Sequence, residues 1–206
     1  MNTLTDYAED EIVVQAVQAG DKEKFAILVR KYNTMLYRMG RAYGLSDADT
    51  EDAMQESFIQ AYMQLKQLKR PRAFQKWLAT IMVHTCYHIQ KRIQPEEIQE
   101  AMSATQFTPG FENNNIQHVL EQAILQLPAT YRLPFVLKEL NGYSLKDTAQ
   151  ILHLSTVNTK IRLFRARQML KRYLQQSHIA EELLVFEAPR CEALTQRVMQ
   201  AIHHIP

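Results

Sequence analysis

Residues Ser144 to Tyr173, SLKDTAQILHLSTVNTKIRLFRARQMLKRY, constrain the fold of this chain most. They read as a short helix, a tight link at Leu152-His153-Leu154 and a long basic helix. In the second helix Leu163, Ala166 and Leu170 recur at helical spacing, with Thr159 one turn before them. One step round the helix stand Lys160, Ile161, Phe164, Arg165 and Gln168. One face buried and one basic face offered outward is how a major-groove recognition helix works. The periodicity fits a basic amphipathic helix in a bundle equally well. The short link, followed by Ser155 as an N-cap, favours the DNA reader.

The rest of the composition points to an all-α protein. A chain of 206 residues makes one large or two small domains. Glycine (5) and proline (7) are sparse, and Leu, Gln, Ala, Glu and Lys are frequent, which favours helix. A hydrophobic content of 46% is enough to bury a core. No uninterrupted apolar run approaches the length of a membrane span. The opening MNTLTDYAEDEI is acidic and has no apolar segment that would signal export. Cys86 and Cys191 are the only cysteines and form no CxxC pair, so a reduced cytoplasm is expected. No nucleophile–base pair, Gly-rich phosphate loop or metal cluster stands out. The expectation is binding rather than catalysis, with no cofactor and no metal site.

The net charge of +2 hides strong segregation. Asp47 to Glu56 holds five acidic residues and no basic one, whereas Lys66 to Arg92 holds seven basic residues and no acidic one. Ile93 to Tyr131 contains no Lys or Arg at all. Lys138 to Leu174 carries eight basic residues against Glu139 and Asp147. Two basic blocks with a neutral-to-acidic stretch between them predict two places that touch a polyanion. Two solvated helix faces are the plainer alternative.

Helical periodicity and breakers divide the chain. Residues 1–93 form a first helical domain. A helix opening at Asp21 to Phe25 carries Phe25, Leu28, Val29, Tyr32, Leu36 and Met39 on one stripe. Gly44 to Asp47 breaks it, and Ser46 or Asp47 caps the next helix, Ala48 to Leu65. That helix buries Met54, Phe58, Ala61 and Leu65 and shows Asp52, Gln55, Glu56 and Gln60. A third helix buries Phe74, Trp77, Leu78, Ile81 and Thr85 and exposes Lys76, Thr80, His84, Tyr87 and Lys91. Residues 94–117, with Pro95, Pro109, Gly110 and Glu112-Asn-Asn-Asn115, read as a flexible linker. Residues 118–176 form the helix-turn-helix domain, with Ser144 as an N-cap three residues before Asp147. Residues 177–206 read as a short helical tail containing Cys191.

Four motifs in this order resemble those of a known family. Asp52-Ala-Met-Gln-Glu-Ser-Phe-Ile-Gln-Ala-Tyr62 is similar to the core-polymerase-binding helix of bacterial sigma factors of the extracytoplasmic-function group. Phe74-Gln-Lys-Trp-Leu-Ala-Thr-Ile81, followed by Lys91-Arg92, resembles the promoter-melting helix of that family. Leu127-Pro-Ala-Thr-Tyr-Arg132 and Tyr143-Ser-Leu-Lys-Asp-Thr-Ala149 resemble the entry to its second domain. Lys160-Ile-Arg-Leu-Phe-Arg-Ala-Arg167 resembles its recognition helix. The likeness runs from about Glu11 to Leu174.

The resemblance implies a protein that binds core RNA polymerase and directs promoter-specific initiation, with promoter DNA as second partner and room for an anti-sigma factor. It implies that Asp52, Gln55 and Glu56 contact the polymerase. On the minus-ten side it implies DNA binding by Lys69, Arg70, Arg72, Lys76, Thr80, His84, Tyr87, His88, Lys91 and Arg92. Opening a duplex needs cations for phosphate and flat or polar side chains for unpaired bases, and this set holds both. On the minus-thirty-five side it implies Thr156, Val157, Asn158, Lys160, Ile161, Phe164, Arg165 and Arg167. Lys160 and Arg165 suit base or phosphate contact, and Arg162 and Arg167 suit phosphate clamps. The chain departs from the family at His84 and His88, where small amides are common, and at His153 and Val157, where glycine is common. Thr159 replaces a branched apolar residue. The alternative function is a stand-alone helix-turn-helix regulator that never touches polymerase.

Overall fold

The structure is a computed structural model in which residues 3–92 and 116–176 are described. The predicted tail and nearly all of the predicted linker lie outside those residues. Eight α-helices are described: α1 (Thr3–Gln18), α2 (Phe25–Tyr43), α3 (Asp47–Gln64), α4 (Phe74–Arg92), α5 (Ile116–Leu125), α6 (Ala129–Phe135), α7 (Leu145–Ile151) and α8 (Thr156–Gln176). No strand occurs among the described residues. Helix α5 begins two residues inside the segment expected to be linker.

The caps follow the sequence. Ser46 is the N-cap of α3, its hydroxyl accepting from Asp49 N at 3.1 Å. Ser144 caps α7 in the same way through Asp147 N, at 3.0 Å. Ser155 accepts from Asn158 N at the start of α8, at 3.1 Å. Each cap satisfies a backbone donor that the first helical turn leaves without a partner. Gly44 ends α2 in the left-handed conformation, φ 108°.

The first four helices enclose Leu28, Leu36, Met39, Leu78 and Met82, all fully buried. Burying a side chain of that size contributes about 1.5–3 kcal/mol. Helix α1, which periodicity had only included in a general helical block, packs on α2. Its Asp10 is 2% exposed and accepts from Lys31 Nζ at 2.8 Å and from the Tyr32 hydroxyl. In the second half α8 lays Thr159, Leu163, Ala166 and Leu170 against α5 to α7, as the spacing predicts. Pro134 removes an N–H within α6, and the chain then widens into a π turn over Val136–Leu140. One continuous cluster of buried side chains runs through both halves. Trp77, expected in the core, packs against that cluster but stays partly accessible.

Candidate nucleic-acid interface

The expected promoter-side residues fall into two groups along α4. Lys69 and Arg70 are exposed on the connection that leads into the helix. Arg72 is exposed too, but its Nε donates to Glu11 at 2.7 Å, which ties it to α1. His84, Tyr87, His88, Lys91 and Arg92 are exposed on the C-terminal half of α4. The sixteen steps from Lys76 to Arg92 span about 24 Å of helix. The two groups therefore suit an extended strand rather than a single point.

At the C-terminal group, flat rings and cations interleave. The His84 and His88 rings lie edge to face with centroids 4.4 Å apart. Lys91 Nζ sits over the Tyr87 ring at 4.6 Å. Stacking faces beside an ammonium are what unpaired bases and their phosphates require. His84 and His88 also stand one helical turn apart. Among the described residues no group of three or more His, Cys, Asp or Glu side chains is placed to hold a metal ion.

Lys76 and Thr80 differ from expectation: both are half-buried rather than exposed. The Thr80 hydroxyl turns back to the Lys76 carbonyl at 3.0 Å. Lys76 Nζ donates to Asp147 Oδ1 of α7 at 2.6 Å, and also to Gln150. The Lys76 hydrogen bond, with the Ser144 hydroxyl behind it, holds the Asp147 carboxyl below its usual range. Sequence periodicity could not anticipate this, because α7 covers the surface from another part of the chain. A cavity of about 410 Å³ opens beside this contact. Tyr43, Trp77, Thr80, His84 and Tyr87 line it from the first half, and His153 from the helix-turn-helix link. His153 adopts φ 51°, so the turn that usually favours glycine is made here with a β-carbon.

Helix α8 presents Thr156, Val157, Asn158, Lys160, Ile161, Phe164, Arg165 and Arg167 outward. Val157 is 68% and Phe164 60% exposed, an apolar stripe among cations that suits thymine methyl groups. Several of the polar side chains are already positioned. Arg162 Nε donates to Asn158 Oδ1 at 3.0 Å, and Arg165 Nη1 to the Tyr131 hydroxyl at 3.1 Å. Arg167 pairs with Glu139 at 2.6 Å. Lys160, by contrast, is exposed with no ion pair among the described residues.

On α3, Asp52, Gln55 and Glu56 are all exposed. The structure adds a feature that the charge pattern did not single out. Beside Gln55 lies an apolar groove of about 540 Å³ between α2 and α3, lined by Phe25, Val29, Met54, Phe58, Ile59 and Tyr62. The Phe25 and Tyr62 rings meet edge on at 5.2 Å. Ile59 is 51% and Met63 76% exposed. Gln55, Ile59 and Met63 at four-residue steps were the available signal.

Comparisons with known proteins agree with this architecture. Residues 28–94 match the family described as Sigma-70 region 2, and residues 117–170 match Sigma-70, region 4. The chain is 30% identical over 187 residues to the ECF RNA polymerase sigma-E factor of Haemophilus influenzae, covering 84% of this chain and 98% of the relative. It is 29% identical to the factor of the same description from Salmonella typhi, covering 84% and 97%. The fold is similar to that of CnrH, solved in complex with the cytosolic domain of CnrY (TM-score 0.59, 22% identity, 81% of this chain and 97% of that one). It is also similar to the sigma factor RpoE of Bartonella quintana, solved with the anti-sigma factor NepR (TM-score 0.59, 21% identity, 74% and 98%). The chain belongs to the extracytoplasmic-function group of RNA polymerase sigma factors, and its function is to direct promoter-specific initiation of transcription.

Proposed function

We propose that α3 docks on core polymerase, that α4 holds the opened minus-ten element, and that α7 and α8 read the minus-thirty-five element. The observation that carries this reading is the separation of three surfaces of different chemistry. An acidic edge beside an apolar groove lies on α3, stacked rings and cations lie on α4, and a basic stripe with exposed Val157 and Phe164 lies on α8. Asp52, Gln55 and Glu56 pair with cations of the polymerase while Ile59 and Met63 supply apolar contact. His84, Tyr87, His88, Lys91 and Arg92 receive unpaired strand, with Lys69 and Arg70 holding phosphate upstream. Lys160 is the side chain of α8 most available to a base.

The working division is 1–93 for polymerase and minus-ten binding, 94–117 as tether, 118–176 for the minus-thirty-five element and 177–206 as an extension. The protein acts by binding and has no catalytic centre of its own. It works in the cytoplasm, beside the polymerase. No helix among the described residues is long and apolar enough to cross a membrane. An anti-sigma factor is a further partner, because the two solved proteins of similar fold are each held by a partner protein, named an anti-sigma factor for the Bartonella quintana protein.

Each DNA surface is small, so specificity arises when polymerase holds both at fixed spacing. A gel-shift titration tests this. The free chain should bind promoter duplex weakly and with little sequence preference, and adding core polymerase should produce a specific complex. Tight, sequence-specific binding by the free chain would favour the stand-alone regulator.

A further inference from the structure

The outermost line of α8 is apolar. Thr159, Leu163, Ala166 and Leu170 are buried. At 3.6 residues per turn the direction opposite them is held by Val157, Ile161 and Phe164, all exposed. These residues gain the helix nothing locally. Val and Ile are β-branched and Phe is aromatic, and all three are poorer helix formers than the Lys, Gln or Arg that suit an exposed face. The cations stand to either side of the stripe, Lys160 and Arg167 on one flank and Arg162 and Arg165 on the other. The three arginines are held by the protein's own groups: Arg162 by Asn158, Arg165 by the Tyr131 hydroxyl and Arg167 by Glu139.

From Thr156 to Gln176 there is no Asp or Glu. An apolar strip bordered on both sides by cations fits a groove whose rims are phosphate and whose floor carries methyl groups. A second copy of the chain fits poorly, because a symmetric contact through this face sets the cations of one α8 against those of the other.

We infer that α8 selects its DNA by the 5-methyl groups of thymine, with Val157 and Ile161 as the selecting residues. That selection depends on α8 lying in the distal element, as proposed above. In a helix-turn-helix the amino-terminal residues of the recognition helix reach the base edges. Val157 is the second residue of α8 and Ile161 the sixth. Four residues make about 6 Å of helix, close to two base-pair steps of about 3.4 Å. The targets are therefore two methyl-bearing bases within about two steps of each other. The stiff χ1 of a β-branched side chain means that little rotamer freedom is lost on contact. An aliphatic side chain makes no hydrogen bond, so it senses the methyl group and is blind to the oxygen or amino group at position 4 of the pyrimidine. Thymine and 5-methylcytosine carry that methyl group at the same place, whereas uracil and cytosine lack it. A methylated cytosine should thus stand in for thymine at these positions.

Holoenzyme made from core polymerase and the full chain is titrated onto a promoter duplex from which it initiates. Each thymine of the distal element is replaced in turn by deoxyuridine, which removes one methyl group and keeps every hydrogen bond. At two positions within about two steps, affinity should fall about fourfold for each methyl group lost. In a variant with cytosine at either position, 5-methylcytosine should recover about the same factor. Val157→Ala with Ile161→Ala should keep its helical circular dichroism, bind the thymine duplex more weakly and no longer distinguish it from the uridine duplex. Affinity unchanged by deoxyuridine at every distal position would overturn the methyl reading. So would equal losses from deoxyuridine placed between the two elements, or a double variant that stays fully sensitive to uridine. A double variant that leaves promoter use unchanged but breaks self-association of the free chain in analytical ultracentrifugation would give the stripe to a second copy instead. If the chain lends core polymerase no promoter preference, the placing of α8 fails first, before any thymine is exchanged.

Discussion

Gly40 on α2 and Thr50 on α3 pack so closely that a β-carbon on the glycine would lie 2.6 Å from Thr50 Cγ2 and 3.2 Å from Met82 Cε. Thr50 is fully buried, and its hydroxyl has no hydrogen-bond partner among the described residues. The close approach sets the spacing of the two helices that flank the α3 groove.

Gly40→Ala should therefore destabilise the protein. Alanine gains roughly 1 kcal/mol over glycine within a helix, but overpacking a tight contact costs about 1–3 kcal/mol. A net loss of up to about 2 kcal/mol is expected, at roughly 2–4 °C in melting temperature per kcal/mol for a chain of this size. Thr50→Ala removes the opposing methyl group and an unpartnered hydroxyl. Thermal melts of the double variant should recover most of the loss. An equal loss in both backgrounds would place the cause elsewhere.

The α3 surface yields a second prediction. Replacing Asp52 and Glu56 with Lys should weaken core binding about tenfold, which is about 1.4 kcal/mol. Ile59→Asp should weaken it further, since a charge would enter the apolar groove. Both variants should keep their helical circular dichroism, because all three side chains are exposed. Unchanged affinity in a pull-down with core polymerase would remove α3 from the interface.

Cys86 yields a third. Burial pushes its thiol up to about 12. The neutral form is favoured in the folded state, so this contribution to stability is present below the ordinary thiol pKa and is lost as pH rises towards 12. The thiolate is the nucleophile, so at pH 8 alkylation at Cys86 should be at least roughly a hundredfold slower in the folded than in the urea-unfolded chain. Peptide mass spectrometry reads this position separately from Cys191. Equal rates would contradict the burial.

Local features of this fold are legible in the sequence because they depend on near neighbours. Ser46, Ser144 and Ser155 cap their helices where a hydroxyl precedes an apolar period, and Leu163, Ala166 and Leu170 face inward at that period. The exposed faces of α3 and α8 follow by the same geometry. What periodicity missed lies between distant segments. Lys76 looks solvent-facing on α4 alone, and only the arrival of Asp147 and Gln150 from 71 and 74 residues away makes it an anchor. Arg72 is likewise taken up by Glu11, 61 residues earlier. The α3 groove was hidden because Phe25 and Val29, read as core, are partly exposed and form its far wall.

Transcription in vitro from a panel of upstream-element variants, with purified core polymerase and this chain, tests the central claim most directly. The chain should direct initiation at start sites that share two upstream elements. Lys160→Ala should cost about 1–3 kcal/mol at one base position of the distal element if it reads a base. A uniform loss with a salt slope lower by about one would instead mark a phosphate contact. Leu163→Asp should abolish distal-element use by placing a charge in the core of the second domain. If core polymerase gains no promoter preference from the chain, or if Lys160→Ala with Arg165→Ala retains full activity on every variant, the account of α8 as the reader is contradicted.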